Sequence, residues 1–204
     1  NQYLNDTWQY SIMSYMSQDN YGGASYRYVM TPQMADIYAV NQLYGGGTAR
    51  STNTVYGFNV SGQQLATSAI YNFGSYSSAP CFTIYDTGGT DALDCSGYSN
   101  NQRISLIGGT WSDIGGLNDN IGIYITSIIE NAVGGSGSDT IVGNSTNNTF
   151  RGGGGTDTID GGGGRDISAF NVASGAASIV QNANGSWTIT TAGQVETLTN
   201  VEVA

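Results

Sequence analysis

The chain has 204 residues, enough for one sizeable domain or two small ones. Fifteen acidic side chains face five arginines, with no lysine and no histidine, and the formal charge is −10. Such an acidic chain argues against nucleic acid or an anionic membrane as a partner. No stretch is apolar enough to cross a bilayer, and no amino-terminal signal peptide is evident.

Residues 1–30 are rich in Tyr, Ser, Asn and Met and show little periodicity. The next segment, 31–45, predicts a helix, because Thr31 suits the N-cap, Pro32 the first helical position and Gly45 the position past the end. Its predicted apolar face consists of Met34, Ile37, Tyr38 and Tyr44, with Leu43 flanking it. The glycines that follow predict a boundary at about residue 46.

From Thr54 onward the composition is that of an all-β domain, with predicted strands at 54–58, 68–73, 81–85 and 104–107. Two further strands, around 179–180 and 187–191, are predicted to be joined by an Asn-Gly turn at 184–185. The two cysteines, Cys81 and Cys95, flank a turn that could bring them together. One disulfide and two buried thiols both remain open.

Residues 134–169 form four contiguous blocks of nine residues, and three of the four begin G-G-x-G-x-D. This is the nonapeptide pattern of a β-helix whose glycine-rich loops bind calcium. We assign one inward apolar residue to each block, namely Ile141, Phe150, Ile159 and Ile167. A flexible Gly/Ser linker is the alternative, but such linkers do not keep a nine-residue register.

Two blocks make one full turn, so residues eighteen apart should stack. Asp139 is then expected near Asp157, and Asn148 near Asp166. Two carboxylates about 4 Å apart repel by roughly 1–4 kcal/mol, and a bound cation reverses that sign. Because the nearby ligands are carboxylate and carbonyl oxygens without imidazole or thiol, calcium is favoured over zinc or copper.

Several segments in this order resemble the carboxy-terminal half of the serralysin family of secreted bacterial zinc proteases. The resemblance runs from about Tyr10 to Phe170 and rests on five segments: the S-I-M-S-Y motif at 11–15, the helix at 31–45, and residues 53–59, 93–98 and 129–135, ahead of the nonapeptides. The lone M-S-Y motif is weak evidence, whereas the whole series is specific.

The resemblance implies a mainly β fold, a calcium-stabilised parallel β-roll preceded by a Met-turn and helix from a metzincin α+β protease domain. Residues 1–46 would end the protease domain, and residues 47–204 would form the β-sandwich and β-roll domain. The implied calcium ligands fall into four groups: Arg50, Thr52, Thr54, Asp86, Gly88 and Asp91; Gly89, Asp91, Ile128 and Glu130; Gly135, Gly137, Asp139, Gly152, Gly154 and Asp157; and Asn144, Thr146, Asn148, Gly161, Gly163 and Asp166. Asn148 replaces the aspartate expected at its position, so the last group should bind more weakly.

The resemblance also implies that Met13 is the Met-turn floor beneath a zinc ion and that Tyr15 can coordinate zinc and stabilise an oxyanion. However, the H-E-x-x-H-x-x-G-x-x-H helix that holds zinc in the family is not in this chain. The expected function is therefore the carboxy-terminal part of an extracellular zinc- and calcium-dependent endopeptidase, secreted by a type I route and inactive alone. Its expected partners are the amino-terminal protease segment and protein substrates. The alternative is a non-catalytic RTX calcium-binding module of a surface-layer, adhesin or other exoprotein.

Overall fold

The computed structural model describes residues 7–14, 23–61, 69–173 and 175–202. Strands dominate the described residues, which confirms the expectation of a mainly β fold. The elements are α1 (Met34–Tyr44), β1 (Val55–Gly57), a 3-10 helix (Phe73–Ser75), β2 (Phe82–Ile84), β3 (Ala92–Asp94), β4 (Arg103–Ser105), β5 (Trp111–Ser112), β6 (Ile121–Ile123), β7 (Asn131–Val133), β8 (Thr140–Val142), β9 (Thr149–Arg151), β10 (Gly155–Asp160), β11 (Ile167–Ser168), β12 (Ser178–Gln181), β13 (Trp187–Thr191) and β14 (Gln194–Thr199). Within the described part of the chain, no helix is both long and apolar enough to span a membrane.

Helix α1 begins two residues later than the sequence suggests. Its N-cap is Gln33, whose backbone N–H donates to Asp36 Oδ2 at 2.8 Å. The expected cap, Thr31, instead accepts a hydrogen bond from the Thr83 backbone N–H at 2.9 Å. The predicted end is confirmed, since Gly45 caps the helix with a φ of 80°.

The predicted apolar face of α1 packs poorly against the rest of the described chain. Ile37 is its one buried residue. Tyr38 and Leu43 are largely exposed, and Tyr44 is 83% exposed. The helix is thus held by Ile37 and by hydrogen bonds, such as those of Ala35 with Tyr10 and Asn41 with Tyr124, rather than by a continuous apolar stripe.

The described strands form three sheets, none of which closes on itself. The first, in the order β1-β3-β7-β9-β11, contains only parallel pairs. The second, β12-β13-β14-β10-β8-β4, and the third, β2-β6-β5, mix parallel and antiparallel pairs. In the first sheet Asn131 aligns with Thr149, and Thr149 with Ile167, so the expected eighteen-residue step is confirmed.

The core lies between the first two sheets. Its fully buried members include Leu93, Ala132 and Phe150 from the first sheet and Ile104, Ile141, Ile159 and Leu198 from the second. The assignment of Ile167 to this set is wrong: Ile167 is 37% exposed, and Ser168 aligns with Phe150 instead. Successive residues of a strand point to opposite faces, so a one-residue shift moves the isoleucine outward.

The segment after Ala169 continues the stack. Strands β12 and β13 form the predicted antiparallel hairpin, with Gly185 at a φ of 88° in its turn. Strand β14 then pairs in parallel with β10, aligning Leu198 with Ile159. The chain therefore adds a further rung beyond the regular repeats.

The structure also answers two other expectations, one about the strand predicted at 68–73 and one about the two cysteines. The predicted strand at 68–73 is wrong, because residues 69–71 are helical and the 3-10 helix follows. Asn72 favours this turn by accepting the Gly74 backbone N–H on its side chain at 2.9 Å. Cys81 and Cys95 are both buried, and they do not form a disulfide.

Candidate metal centre

Acidic and amide side chains form two lines, one along each edge of the paired sheets. Most members end a loop and precede a strand directly, whereas Asp157 and Glu196 lie within strands β10 and β14. The first ladder is defined as Gln102, Asp139, Asp157 and Glu196, and the second ladder as Thr54, Asp91, Glu130, Asn148, Asp166 and Glu202. The carboxylates on both ladders are linked to neighbouring rungs through backbone N–H donors.

In the first ladder each carboxylate accepts a hydrogen bond from the rung before it. The Gln102 N–H donates to Asp139 Oδ1 at 2.8 Å, and the Asp139 N–H donates to Asp157 Oδ1 at 2.9 Å. Asp157 aligns with Glu196 across the β10–β14 pair. The predicted proximity of Asp139 and Asp157 is confirmed.

The second ladder repeats this contact. The Thr54 N–H donates to Asp91 Oδ1 at 2.7 Å, and the Asp91 N–H donates to Glu130 Oε2 at 2.6 Å. Further along, the Asn148 N–H donates to Asp166 Oδ1 at 2.7 Å, as the eighteen-residue step predicts.

Three carboxylates have one oxygen satisfied and the other without a partner. Asp91, Asp157 and Asp166 are each 0% exposed, and the Oδ2 atom of each lacks a hydrogen-bond partner. Leaving a buried charged oxygen unsatisfied costs at least about 1–3 kcal/mol. Among the described residues the salt bridges are those of Arg103 with acids elsewhere, so no arginine forms a salt bridge with these three carboxylates.

Glycine loops bring carbonyl oxygens to the same places. A Cβ on Gly134 would lie closer than 3.0 Å to both the Gly152 carbonyl oxygen and Asp139 Oδ2. Gly153 has a φ of 102°, and a Cβ there would collide with the Gly135 carbonyl. Glycine is required here because the stacked backbones leave no room for a side chain.

Burial and neighbouring negative charges both raise the pKa of these carboxyl groups. Burial, with the nearby charges of Asp86 and Glu130, raises the pKa of Asp91 to about 7. Burial, with the charges of Asp139 and Glu196, raises the pKa of Asp157 to about 6. A cation beside either group would lower its pKa by stabilising the charged form.

The second ladder has an amide side chain instead of a carboxylate at Asn148. Its Nδ2 donates to the Glu130 backbone oxygen at 2.9 Å and to Asn144 Oδ1 at 3.2 Å. The Asn144 Nδ2 likewise donates to the Ile129 backbone oxygen at 2.8 Å. Amide donors of the protein therefore satisfy oxygens at this rung of the second ladder.

The irregular loops that precede the repeats form a separate polar network. The Gly88 N–H donates to Asp86 Oδ1 at 2.9 Å, while Asp86 Oδ2 accepts the Tyr56 hydroxyl. Arg50 Nε donates to that hydroxyl at 2.8 Å, and its guanidinium lies 4.8 Å from the centre of the Tyr71 ring. The sequence suggested a role for the Arg50 carbonyl and gave no signal for this side-chain contact.

The structure brings the remaining predicted loop residues into the same stacks. Gly89 lies against Thr52, the Gly154 N–H donates to the Gly135 oxygen at 2.9 Å, and the Gly163 N–H donates to the Asn144 oxygen at 2.9 Å. Gly137 packs on Asn100, and Gly161 lies beside Asp166. The Thr146 N–H donates to Asn144 Oδ1 at 2.9 Å, and the Ile128 side chain is exposed.

Three ladder residues, Gln102, Glu196 and Glu202, were not predicted from the repeats. Glu196 is fully buried and accepts hydrogen bonds from the Gly152 N–H at 3.1 Å and the Ser168 hydroxyl at 2.5 Å. The available signal was an acid-Thr-apolar triplet, which recurs in D-T-I at 139–141 and 157–159 and in E-T-L at 196–198.

The residues expected near zinc do not form a site in the described chain. Met13 is 79% exposed, and Tyr15 lies outside the described residues. Over the part of the chain that the structure describes, no three His, Cys, Asp or Glu side chains cluster closely enough to hold a metal. Any ion on the ladders must therefore also use carbonyl oxygens, which suits calcium.

The fold and the two ladders define a mainly β domain of stacked, glycine-rich and acidic loops. The family model described as Peptidase M10 serralysin C terminal matches residues 46–188. The chain belongs to the serralysin family and corresponds to its carboxy-terminal portion.

Curated relatives agree with this placement. The chain is 46% identical to Serralysin B of Dickeya chrysanthemi over 141 residues, which cover 68% of this chain and 28% of the relative. It is 44% identical to Metalloprotease AprA of Pseudomonas entomophila over 146 residues, covering 68% and 29%, respectively. The chain thus spans under a third of the length of these relatives.

Proposed function

We propose that this chain is the carboxy-terminal part of a secreted, extracellular bacterial metalloendopeptidase that depends on zinc and calcium. Residues 47–204 would form a calcium-stabilised parallel β-roll, and residues 1–46 would end the catalytic domain. The protease assignment is supported by the family match and by the relatives' names. The calcium role is supported by the two ladders.

The residues present fit calcium. Asp91, Asp139, Asp157 and Asp166 would supply carboxylate oxygens, and the glycine-rich loops would supply backbone carbonyls. A bound ion would supply the positive charge that the buried carboxylates lack. In the absence of calcium the stacked acids repel and their outer oxygens stay unsatisfied, so the loops should fold only when calcium is present outside the cell.

The residues present do not fit zinc. The chain has no histidine, and its two cysteines are buried and differ in chemical type from the family's imidazole ligands. We infer that the chain alone does not hydrolyse peptides, and that an amino-terminal segment carrying the zinc ligands is its partner. Met13 and Tyr15 would lie beside the zinc site of that segment, in the roles that the resemblance implies. The substrates would be protein chains.

The observation that carries the calcium proposal is the set of three fully buried carboxylates with an unpartnered Oδ2 atom. The test is far-UV circular dichroism and thermal unfolding in chelator and in millimolar calcium, with native mass spectrometry to count ions. At a free calcium concentration of about 100 times the Kd of a site, binding at that site should add about 2.7 kcal/mol to the free energy of unfolding. Equal β content and equal Tm in chelator and in calcium would contradict the proposal.

A matched pair of variants sharpens this test. Asp157→Asn removes a ladder charge, whereas Asp113→Asn removes one charge from the half-exposed pair with Arg103. We expect the first variant to lose calcium affinity and the second to bind like the wild type. A peptidase assay with added zinc addresses the enzyme separately: hydrolysis by this chain alone would refute the inference that it lacks the catalytic metal site.

A further inference from the structure

We propose that the outer edge of β12 is a docking surface for a second copy of this chain. Strand β12 (Ser178–Gln181) is the last strand of the second sheet, and within the described part of the chain its outer edge pairs with no other strand. Antiparallel pairing of two β12 edges about a two-fold axis would join the second sheets of two copies into one continuous sheet. The inference rests on this sheet edge and does not depend on the calcium role of the ladders.

The backbone of β12 directs hydrogen-bonding groups away from the sheet. The Asn182 N–H donates to the Ser186 oxygen at 2.8 Å, so these two residues face each other as a hydrogen-bonded pair. Because such pairs alternate along antiparallel strands, Val180 also bonds with β13, whereas Ile179 and Gln181 direct their N–H and C=O groups outward. Both donors and acceptors are therefore available for a further strand at this edge.

The side chains of β12 leave apolar surface open at the same edge. All four residues of the strand are exposed, with Ile179 at 55% and Val180 at 53%. Ile179 aligns with Ile189, which is 1% exposed, so burial is lost in one step outward along the sheet. Ile179 also lines two hollows, one of about 190 Å³ beside Trp187 and one of about 400 Å³ beside Phe170. A neighbouring strand would cover this surface.

The opposite edge of the same sheet is protected in ways that β12 is not. At the edge strand β4, the Arg103 N–H donates to the Asp113 oxygen at 3.1 Å, and the Asp113 N–H donates to the Arg103 oxygen at 2.8 Å. The Arg103 side chain also forms salt bridges with Asp113 and Asp119. Proteins commonly protect an edge strand with charged side chains, proline or a covering segment. Strand β12 contains neither a charged residue nor proline.

The charge distribution favours a second copy as the occupant of this edge. No charged residue occurs between Asp166 and Glu196, although charged residues make up 10% of the chain and its formal charge is −10. Over most of such an acidic chain, like charge opposes self-association, but this segment is neutral. A basic partner would instead be attracted to the acidic ladders. The neutral edge therefore fits another copy of itself.

A two-fold axis through Val180 gives the pairing a definite register. Ile179 of one copy then faces Gln181 of the other, and residues in such a pair exchange both of their backbone hydrogen bonds. Val180 faces Val180 of the other copy in the intervening pair, where Cα atoms lie about 4.5 Å apart and the side chains are close. This self-complementary contact has the isologous form found in most homodimers.

The first test measures the mass of the full chain in calcium by analytical ultracentrifugation over a range of concentrations, with circular dichroism to check folding. Val180→Lys places two positive charges opposite each other across the axis, and their repulsion should raise the dissociation constant of the dimer about tenfold or more. Thr190→Lys is the matched control, because Thr190 is exposed on β13, one strand in from the edge. This control should dimerise like the wild type.

The second test examines the register. Cα atoms about 4.5 Å apart lie within the range of about 4.4–6.8 Å that a disulfide spans. Val180→Cys should therefore form a disulfide-linked dimer under mild oxidation, whereas Thr190→Cys should stay unlinked. The two native cysteines are buried, so they should not contribute to the linked product.

The outcomes are distinct. A folded wild-type chain that stays monomeric at every concentration would overturn the inference. A dimer that Val180→Lys leaves intact would also overturn it, because the interface would then lie elsewhere, as would a native mass showing a different polypeptide on this edge. Loss of the dimer in Val180→Lys, its retention in Thr190→Lys and cross-linking of Val180→Cys support the proposed surface.

Discussion

Replacing Asn148 by aspartate tests how the second ladder is stabilised without an ion. The wild-type amide donates to the Glu130 backbone oxygen and to Asn144 Oδ1, at 2.9 and 3.2 Å, in a nearly fully buried position. In Asn148→Asp, a carboxylate oxygen faces these two acceptors. We expect the variant to be unstable without calcium and to gain a calcium ion that the wild type lacks or binds weakly at this rung.

The magnitude follows from the two lost donors. Both acceptors keep another donor, the Thr149 N–H for the Glu130 oxygen and the Thr146 N–H for Asn144 Oδ1. Each lost hydrogen bond is therefore worth about 0.5–1.5 kcal/mol, and the free energy of unfolding in chelator should fall by about 1–3 kcal/mol. Repulsion from Asp166, whose Oδ1 accepts the residue 148 N–H, adds to this loss. In calcium at about 100 times the Kd of the new site, about 2.7 kcal/mol should be recovered.

The assay is urea unfolding in chelator and in millimolar calcium, with ions counted by native mass spectrometry. Asn147→Asp is the matched control, because Asn147 is exposed in the same loop and its Oδ1 acts as an acceptor for the Arg165 N–H, a role aspartate keeps. If Asn148→Asp is destabilised equally in chelator and in calcium and binds no additional ion, the reasoning about amide substitution is wrong.

Three further predictions concern charge, backbone and burial. The raised pKa values of Asp91, about 7, and Asp157, about 6, mean that the folded calcium-free chain binds protons more tightly than the unfolded chain. Its Tm in chelator should therefore fall as pH rises from about 4 through 7, whereas saturating calcium should flatten the profile; a flat profile in chelator would contradict this. Gly153→Ala should destabilise the chain by several kcal/mol because of its positive φ and the facing carbonyl, whereas Gly163→Ala, with 3.7 Å to its nearest neighbour, should cost about 1 kcal/mol or less. Cys95 is fully buried with a raised pKa, so its thiol should react with a disulfide reagent only as fast as the chain unfolds, and rapid native-state labelling would argue against that burial.

The repeat register was predictable because its cause is local. A nine-residue period with glycine, aspartate and an apolar residue in phase determines which residues stack, and Asp139 and Asp157 meet as expected. The Asn-Gly turn and the end of α1 at Gly45 were predictable for the same reason, since glycine supplies a backbone conformation that other residues resist. Short-range chemistry decides these features.

Other features depended on partners distant in sequence. The nine-residue period by itself places Ser168, and not Ile167, in line with Phe150, but it contains no signal for the hydrogen bond that Ser168 donates to Glu196, 28 residues away. The α1 cap moved to Gln33 because Thr31 is engaged by Thr83, 52 residues away. No local pattern contains these contacts.

The sequence by itself determined the β-rich class, the family and the register of the nonapeptides. Only the tertiary structure decided that Glu196 and Glu202 join the ladders, that the Asn148 amide donates to the Glu130 oxygen, and that Asp91, Asp157 and Asp166 each keep one unsatisfied oxygen. The physical reason is that a period in sequence reports which residues can stack. Whether each stacked oxygen finds a donor depends on side chains that folding brings from elsewhere in the chain.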